Sequence, residues 1–242
     1  MPNFKVVFFN LGGTLLQLKN TTLPQLYSKH LSNITKINIT PEQVFSAFKK
    51  ADVWMLSRKS DHYLFSDMDQ RKYQNAFYTE LGFNGRQHIN RIEKELADRI
   101  EFRFELEQGA ERTLRLLKRT YHLGLISNWD IDGYEILESF GIKNLFDSIT
   151  LSGEFGVSKP SKEIFKSGLA DFPESKPKNA VYIGDDYDLD IIPAQKLRMF
   201  TILYDKGPSG MHGFPKRPNV KCPRVESLTE IPKLLAKYSL RK

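Results

Sequence analysis

Four short stretches of the sequence carry residue types that could do chemistry, and an apolar run precedes two of them directly. Residues 4–9 lead into the turn Asn-Leu-Gly-Gly-Thr at positions 10–14, whose small residues leave backbone N–H groups free to face an oxyanion. Another apolar run leads into Ser127 and Asn128, a hydroxyl and an amide that can hydrogen-bond a phosphoryl oxygen. Both stretches therefore favour the binding of a phosphate group.

The other two stretches are charged. Lys159 stands directly before Pro160, which fixes it just ahead of a helix start. Residues 185–190 hold four aspartates in six positions, and crowded carboxylates repel one another unless a cation joins them. An oxygen-only cluster of this kind suits Mg²⁺. The pattern predicts a charged site that combines phosphate and metal binding.

Each stretch also has an ordinary explanation when it is taken alone. Ser127 and Asn128 are compatible with a turn whose side chains bond their own backbone, and Lys159 is compatible with a surface charge. The aspartates are equally compatible with a cap on the following helix. The order of the four stretches, and their common place near predicted strand ends, is what favours one shared site.

The elements that must position these residues alternate between strands and helices after Gly109. Such alternation is typical of parallel βαβ units, so we predict an α/β fold with a doubly wound parallel sheet. The strand at residues 4–9 must join this sheet, and ligands in such sheets bind outside the carboxyl ends of the strands. The predicted strands cover residues 122–126, 148–151, 180–183 and 199–203, and the predicted helices cover residues 110–119, 134–140, 162–171, 190–197 and 228–238.

Between Leu23 and Phe104 the sequence changes to helical periodicity, with many charged residues and no convincing strand. Thr40 and Gln43 form a capping box that starts one helix, and further helices are predicted over residues 67–81 and 87–102. This stretch is predicted to be an all-α insert that stands over the edge of the sheet. Its aromatic residues either line a substrate pocket or, as we favour, form the insert's own small core and its packing onto the sheet domain: Phe45, Phe48, Trp54 and Tyr63.

Length and composition limit the class of protein. With 242 residues and 40% apolar content the chain can bury a proper core, which argues against a disordered or fibrous protein. The formal net charge of +7 is spread along the chain, so nucleic-acid binding is not expected. Cys222 is the single cysteine, and the sequence has no run of ~18 apolar residues and no signal-peptide core. We therefore expect a cytoplasmic protein without a membrane segment.

Several remaining residues receive no firm functional role from the sequence. Residues 205–224 are rich in proline, glycine and basic residues and are predicted to form a solvated surface loop. Trp129 and Asp130 either touch a ligand or form a turn and a helix cap. The five histidines show no metal-ligand spacing and are assigned no role: His30, His62, His88, His122 and His212.

Taken together, the four stretches resemble the motifs of the haloacid dehalogenase superfamily of hydrolases. Its members carry a strand ending in Asp-x-Asp-Gly-Thr, a strand ending in Ser or Thr, a Lys before Pro, and Gly-Asp with another Asp soon after. The corresponding residues here are the turn at 10–14, Ser127, Lys159, and Asp185 with Asp190. The insert lies where this superfamily places its type-one cap. The resemblance implies a Rossmann-like core at residues 1–18 and 106–242 and a helical cap at residues 19–105.

The resemblance also implies a role for each position. In the superfamily the first carboxylate of the turn attacks the substrate and the second transfers protons, and these positions are Asn10 and Gly12 here. Lys159 would steady the negative charges around the reacting group. The phosphoryl group would be bound by Gly13, Thr14, Ser127, Asn128 and Lys159. Mg²⁺ would be held by Asn10, the Gly12 carbonyl and Asp185, with Asp186 and Asp190 in support.

Both departures from the superfamily pattern fall on the catalytic carboxylates. Loss of the acid/base at Gly12 removes a contribution of ~10²–10⁴ in rate, and loss of a nucleophile at Asn10 costs on the order of 10⁶ in other covalent enzymes. Asn10 also removes a negative charge, so a weakened Mg²⁺ site is expected, although the amide oxygen can still coordinate. We therefore expect a magnesium-dependent, phosphatase-type hydrolase with impaired turnover, acting on a small phosphate ester in preference to a halo-acid.

The alternative interpretation is a catalytically inactive pseudoenzyme that binds a phosphorylated ligand or a protein partner. Three origins of Asn10 are compatible with the sequence: natural replacement, an engineered exchange that traps substrate, and conversion to aspartate by deamidation. The branched Leu11 hinders the backbone attack that deamidation requires. The second departure at Gly12 favours natural replacement over an engineered one.

Overall fold

A computed structural model describes residues 4–57 and 67–239. Its centre is a six-stranded sheet, with the strands in the order β5-β4-β1-β6-β7-β8 and every neighbouring pair parallel. This confirms the predicted doubly wound sheet. The strands of the sheet are β1 (Val6–Phe9), β4 (His122–Ser127), β5 (Ser148–Leu151), β6 (Ala180–Gly184), β7 (Phe200–Tyr204) and β8 (Arg224–Val225). Two further strands, β2 (Leu16–Leu18) and β3 (Phe104–Leu106), form a separate ribbon.

The central strand β1 determines where the site lies. Its four residues are fully buried, as expected for an apolar strand covered on both faces. Phe9 is paired with Leu125 on one side and with Ile183 on the other. The carboxyl ends of the three strands are therefore level, and the residues that follow β1, β4 and β6 emerge side by side.

Helices cover both faces of the sheet, and each face has its own apolar core. One core contains Val7 and Phe9, and the other contains Val6 and Phe8, because successive side chains of a strand point to opposite faces. The helices that follow the sheet strands are α5 (Ala110–Leu117), α6 (Gly133–Ser139), α7 (Ser152–Phe155), α8 (Lys162–Ala170), α9 (Ile192–Lys196) and α10 (Ile231–Ser239).

The predicted strands and helices of this part agree closely with the observed ones, but α7 and β8 were not predicted, and one predicted helix differs near the aspartates. The sequence predicts a helix over residues 190–197, whereas a π-helical turn occupies Tyr187–Ile191 and α9 begins at Ile192. Asp186 starts this turn, and its side chain accepts hydrogen bonds from the backbone N–H groups of Asp188 and Leu189. The wide turn keeps Asp190 beside the strand end instead of carrying it away along a helix.

In the residues that the structure describes, the insert contains four helices around a third apolar core, which includes Leu31, Val44, Phe77 and Ile92. Capping boxes at Thr22–Gln25 and Thr40–Gln43 start the first two helices, the second of them as predicted. The helices are α1 (Leu23–Thr35), α2 (Pro41–Leu56), α3 (Asp67–Glu80) and α4 (Arg86–Ala97).

The ribbon of β2 and β3 joins the two ends of the insert to the sheet region, with Leu16 paired to Leu106 and Leu18 to Phe104. The prediction of no strand up to Phe104 is wrong at this last residue, because a three-residue strand is too short to show alternation. Tyr63 and His62 lie outside the described residues. No helix among the residues that the structure describes has both the length and the apolar character needed to cross a membrane.

Candidate functional site

Asn10 lies at the centre of the site, directly after β1, and only 7% of its surface is exposed. Its Oδ1 accepts hydrogen bonds from Lys159 Nζ at 2.8 Å and from Ser127 Oγ at 3.0 Å. Its Nδ2 donates to the Gly12 carbonyl at 2.8 Å and to Asp185 Oδ1 at 2.9 Å. All predicted strand-end motifs therefore meet at this one amide.

The orientation of the Asn10 amide is fixed by its partners. A lysine ammonium group has three donors and no acceptor, so only the amide oxygen can face Lys159. If Oδ1 and Nδ2 were exchanged, an amide N–H group would face the ammonium group of Lys159, and two donors would oppose each other. The amide oxygen would then face the Gly12 carbonyl oxygen, and neither of these atoms can donate a hydrogen. The amide nitrogen must therefore point towards Gly12 and Asp185.

Lys159 is the buried cation of the site, with 3% of its side chain exposed. Its Nζ lies 2.6 Å from Asp190 Oδ1, and the Tyr182 hydroxyl donates to the same carboxylate oxygen at 3.1 Å. Burial raises the pKa of Asp190, although Lys159 opposes this shift. A buried ion pair needs additional hydrogen bonds to offset its desolvation, and Tyr182 and Asn10 supply them.

Asp185 follows β6 and is surrounded by hydrogen-bond donors. Besides the Asn10 amide, Thr14 Oγ1 donates to its Oδ1 at 2.9 Å, and His212 Nδ1 lies 2.8 Å from its Oδ2. Burial raises the pKa of Asp185, but His212, Thr14 and Asn10 together bring it below its ordinary value. Asp185 is thus a carboxylate, and the His212 nitrogen that faces it must carry a hydrogen.

Two glycines of the turn are required by their neighbours. Gly13 has a φ of +81°, and a Cβ there would lie 2.2 Å from Asp185 Oδ2. A Cβ on Gly12 would lie 2.7 Å from Cζ3 of Trp129 and 3.2 Å from Cε of Met211. The position where the superfamily carries its acid/base is therefore filled by the Trp129 ring in this protein.

Three predicted phosphate-binding residues have other partners in the structure. Gly13 N–H donates to the Leu16 carbonyl, and the Thr14 hydroxyl is used by Asp185. Both polar groups of the Asn128 side chain bond the backbone of Lys159, at 2.7 and 3.0 Å. These groups of Gly13, Thr14 and Asn128 therefore stabilise the site, and their binding of phosphate stays a prediction.

The cavity above these residues has a volume of about 250 Å³. Asn10, Gly12, Ser127 and Lys159 form part of its floor. In the part of the chain that the structure describes, the N–H groups of Leu11 and Gly12 donate no hydrogen bond. Donors at the floor and apolar walls above are the combination expected of a small-ligand site. Aromatic side chains from four segments form much of the wall: Phe45, Phe48, Tyr73, Trp129 and Phe214.

A comparison with protein families matches residues 7–204 to the model described as haloacid dehalogenase-like hydrolase. The chain belongs to this family. The match confirms the resemblance that the motifs indicated, and it covers the whole insert and the strands β1 to β7.

Curated relatives of this hydrolase match over shorter segments. A glyceraldehyde 3-phosphate phosphatase of Methanocaldococcus jannaschii is 42% identical over 86 residues, which cover 35% of this chain and 37% of the relative. Haloacid dehalogenase-like hydrolase domain-containing protein 3 of Bos taurus is 34% identical over 101 residues, 41% of this chain and 40% of the relative. The aligned segments thus span about two fifths of the relatives that they match.

Solved structures show the same fold over nearly the whole chain. YfnB of Bacillus subtilis, described as a HAD-hydrolase bound to magnesium, has a TM-score of 0.66 at 19% identity and covers 96% of this chain and 99% of its own. A 2-haloacid dehalogenase of Pseudomonas syringae has a TM-score of 0.58 at 19% identity, with 97% and 99% coverage. These structural similarities support the fold, and they do not identify the ligand of this chain.

The donor set does not fit the Mg²⁺ ion that the family resemblance implies. Mg²⁺ requires oxygen lone pairs at about 2.0–2.1 Å. Asn10 Oδ1 instead faces Lys159 and Ser127, so the expectation that the amide oxygen coordinates is wrong. The Gly12 carbonyl and both oxygens of Asp185 already accept hydrogen bonds from protein donors. Among the described residues, no three His, Cys, Asp or Glu side chains are grouped so that they could hold a metal ion.

The loop after β7 is part of the site, contrary to the sequence prediction of a solvated loop without a role for His212. Met211 is buried, its N–H donates to Gln17 Oε1 at 2.8 Å, and both Met211 and His212 line the cavity. Phe214 stacks on His212 with ring centroids 5.1 Å apart and contacts Phe45 of the insert. The position of the loop in the sequence could have indicated this role. The loop begins at Asp205, directly after the strand β7, and so starts at the edge of the sheet where ligands bind.

The insert contributes an acidic side chain that the sequence did not single out. Asp52 of α2 lines the cavity, accepts a hydrogen bond from the Tyr73 hydroxyl at 3.0 Å, and lies 3.4 Å from Lys49 Nζ. Burial raises the pKa of Asp52, and the nearby Asp186 raises it further. Phe45, Phe48 and Asp52 are spaced so that one face of α2 points into the cavity. Phe45 and Phe48 therefore line the cavity in addition to making the packing contacts that the sequence favoured.

Proposed function

We propose that this hydrolase-family protein binds a small phosphorylated molecule over Asn10 and has lost rapid hydrolysis of it. The observation that carries the proposal is the environment of the Asn10 amide, which receives the phosphate-site groups Ser127 and Lys159 on its oxygen. An amide is not a useful nucleophile, and no carboxylate can stand at Gly12 while Trp129 covers it. The hydrogen-bond donors that would bind a phosphate are present, whereas the nucleophile and the acid/base that hydrolysis requires are absent.

The phosphate would enter above Asn10 with its oxygens towards the unused N–H groups of Leu11 and Gly12, and the Ser127 hydroxyl would turn its hydrogen from Asn10 Oδ1 to the ligand. Lys159 would supply positive charge from below, since its ammonium already bonds Asn10 Oδ1. Hydrogen bonds to a charged group contribute about 1.5–3 kcal/mol each, so a few of them suffice for specific binding. The organic part of the ligand would lie against the aromatic wall.

The size of the cavity supports a small ligand. Its volume of about 250 Å³ is below the ~300–1,000 Å³ that is usual for sites of drug-sized molecules. Some curated relatives are named for a three-carbon phosphate ester, which makes such esters the first compounds to test. We further propose that residues 19–105 act as a cap that selects the ligand, because α2 supplies part of the wall. A cytoplasmic location stays a prediction.

Binding is tested by calorimetry with glycerol 3-phosphate and glyceraldehyde 3-phosphate. Ser127→Ala should weaken binding about 10- to 100-fold, the equivalent of one hydrogen bond to a charged group. Ser139→Ala is the matched control, because Ser139 is exposed and bonds only the Ile136 carbonyl of its own helix. Equal affinity in the two variants, or no binding of any small phosphate ester, would contradict the proposal.

A slow hydrolase is the second candidate, favoured by the retained ion pair of Lys159 and Asp190. It is separated from the first by phosphate release from the same esters. Under the proposed function, release by the protein stays at the level of a Ser127→Ala control, whereas a slow hydrolase exceeds that control.

A further inference from the structure

We infer that the Asn10 amide nitrogen and the His212 ring take the place of a divalent cation in this site, so that ligand binding does not depend on Mg²⁺. The inference rests on the proposed function, because it concerns how the same pocket holds its ligand without a metal. It follows from the contacts of Asn10, Asp185 and His212.

The Asn10 amide nitrogen bridges two atoms that the superfamily uses as metal ligands. It donates one hydrogen to the Gly12 carbonyl at 2.8 Å and the other to Asp185 Oδ1 at 2.9 Å. A cation that joined these two oxygens would have to occupy the space of the NH₂ group. The orientation cannot be reversed while Lys159 Nζ stands 2.8 Å from Asn10 Oδ1.

His212 supplies the second half of the replacement. Its Nδ1 lies 2.8 Å from Asp185 Oδ2, the carboxylate oxygen that Asn10 does not use. The ring is held in place by Phe214, which stacks on it with an interplanar angle of 21°. Thr14 completes the set with its bond to Asp185 Oδ1. Asp185 thus has three protein donors, and buried carboxylates need such partners or a metal.

The other carboxylates of the cluster are satisfied in the same way. Asp190 accepts from Lys159, Tyr182 and the N–H of Asp186. Asp186 accepts at Oδ1 from two backbone N–H groups of the π-helical turn. The repulsion between the crowded aspartates, which from sequence alone suggested a cation, is therefore relieved by protein donors.

The inference is tested first with the metal alone, on the unmodified protein. Mn²⁺ serves as a paramagnetic substitute for Mg²⁺, and the free ion is followed by electron paramagnetic resonance. We expect the protein to leave the signal of free Mn²⁺ unchanged. Asn10→Asp should bind Mn²⁺, and Asn10→Asp combined with His212→Ala should bind it at least about tenfold more tightly, since Asp185 then keeps only Thr14 of its three protein donors and its Oδ2 becomes available.

His88→Ala is the matched control for the histidine, because His88 is exposed on α4 of the insert. It should leave the Mn²⁺ affinity of Asn10→Asp unchanged. Binding of Mn²⁺ by the unmodified protein as tightly as by Asn10→Asp would overturn the inference. This comparison does not require a phosphate ligand, and the measurement on the unmodified protein stands even if a variant fails to fold.

The second arm is calorimetry with glycerol 3-phosphate in excess MgCl₂ and in EDTA. We expect dissociation constants that agree within about twofold for the unmodified protein. A tenfold loss of affinity in EDTA would overturn the inference and leave the proposed function intact. Failure of the ester to bind in both buffers would instead overturn the proposed function, while the Mn²⁺ comparison continues to decide the question of the metal.

Discussion

The indole ring of Trp129 lies over Gly12 so closely that a Cβ at residue 12 would come within 2.7 Å of its Cζ3. The backbone of Trp129 is held by neighbours: its N–H donates to Ser152 Oγ, and its carbonyl accepts from Gly153 N–H. The backbone of Trp129 is therefore held against the start of α7. The ring of Trp129 thus occupies the space that an acid/base side chain at residue 12 would need.

Introducing the absent carboxylate should consequently be costly. Gly12→Asp is expected to lower the free energy of unfolding by ~1–3 kcal/mol, the usual cost of overpacking. In a Trp129→Ala background the same change should lower the free energy of unfolding by at least about 1 kcal/mol less, because the effects of substitutions at residues in contact are not additive. Chemical denaturation of the four proteins of this cycle measures the difference. Equal costs in both backgrounds would show that Trp129 does not exclude the side chain.

Restoring the nucleophile is a separate experiment. Asn10→Asp supplies an attacking carboxylate and, by removing the Nδ2 donor, opens the Gly12 carbonyl and Asp185 to Mg²⁺. With Gly12 still unable to transfer protons, which withholds ~10²–10⁴ in rate, we expect a gain of about 10²-fold or more in phosphate release. The assay uses small phosphate esters with MgCl₂. A variant that binds Mn²⁺ but remains inert would show that more than the nucleophile has been lost.

How much of this arrangement can be predicted from the sequence depends on how far apart along the chain the interacting residues lie. The order of Asn10, Ser127, Lys159 and Asp185 was sufficient for the fold and family, since level strand ends bring such residues together. The direction of the Asn10 amide was not predictable, because it depends on Lys159, which lies 149 residues away. His212 was missed because loop 205–224 has no periodicity that would reveal its return over the site.

The turn residues show a different limit. Gly13 and Thr14 were predicted to bind phosphate because small residues and hydroxyls can do so. In the structure the hydroxyl of Thr14 serves Asp185, and Gly13 is required by the close approach of the same carboxylate. The residue types were compatible with either use. The packing of β1 beside β6, which places Asp185 against the turn, accounts for the second use, and the binding of phosphate by these two residues stays a prediction.

Lys159 provides a third prediction, which concerns stability. Lys159→Met leaves Asp190 as a buried carboxylate without its cation, so the free energy of unfolding should fall by ~3–5 kcal/mol. Lys166→Met is the matched control: Lys166 pairs with Glu163 at 2.9 Å on the exposed side of α8, and surface pairs contribute ~0–1 kcal/mol. Urea denaturation at neutral pH compares them. Similar losses in the two variants would contradict a stabilising role for the buried pair.

Asp52 provides the last prediction, which concerns pH. Burial raises the pKa of this carboxyl in the folded protein above its ordinary value near 3.8. Between the unfolded and the folded pKa, the folded state binds more protons than the unfolded state, so stability falls as the pH rises through this window. Asp52→Asn keeps an acceptor for the Tyr73 hydroxyl and removes the ionisation. The variant should therefore gain stability relative to the unmodified protein as the pH rises through the window.

The control for Asp52 is Ser139→Ala, which alters an exposed residue of α6 and removes no ionisable group. For this variant the difference in unfolding free energy from the unmodified protein should not grow over the same pH range. Urea denaturation at a series of pH values from below 3.8 to neutral measures both differences. A difference for Asp52→Asn that is constant with pH, or that grows towards low pH, would mean that the carboxyl is not disfavoured in its charged form.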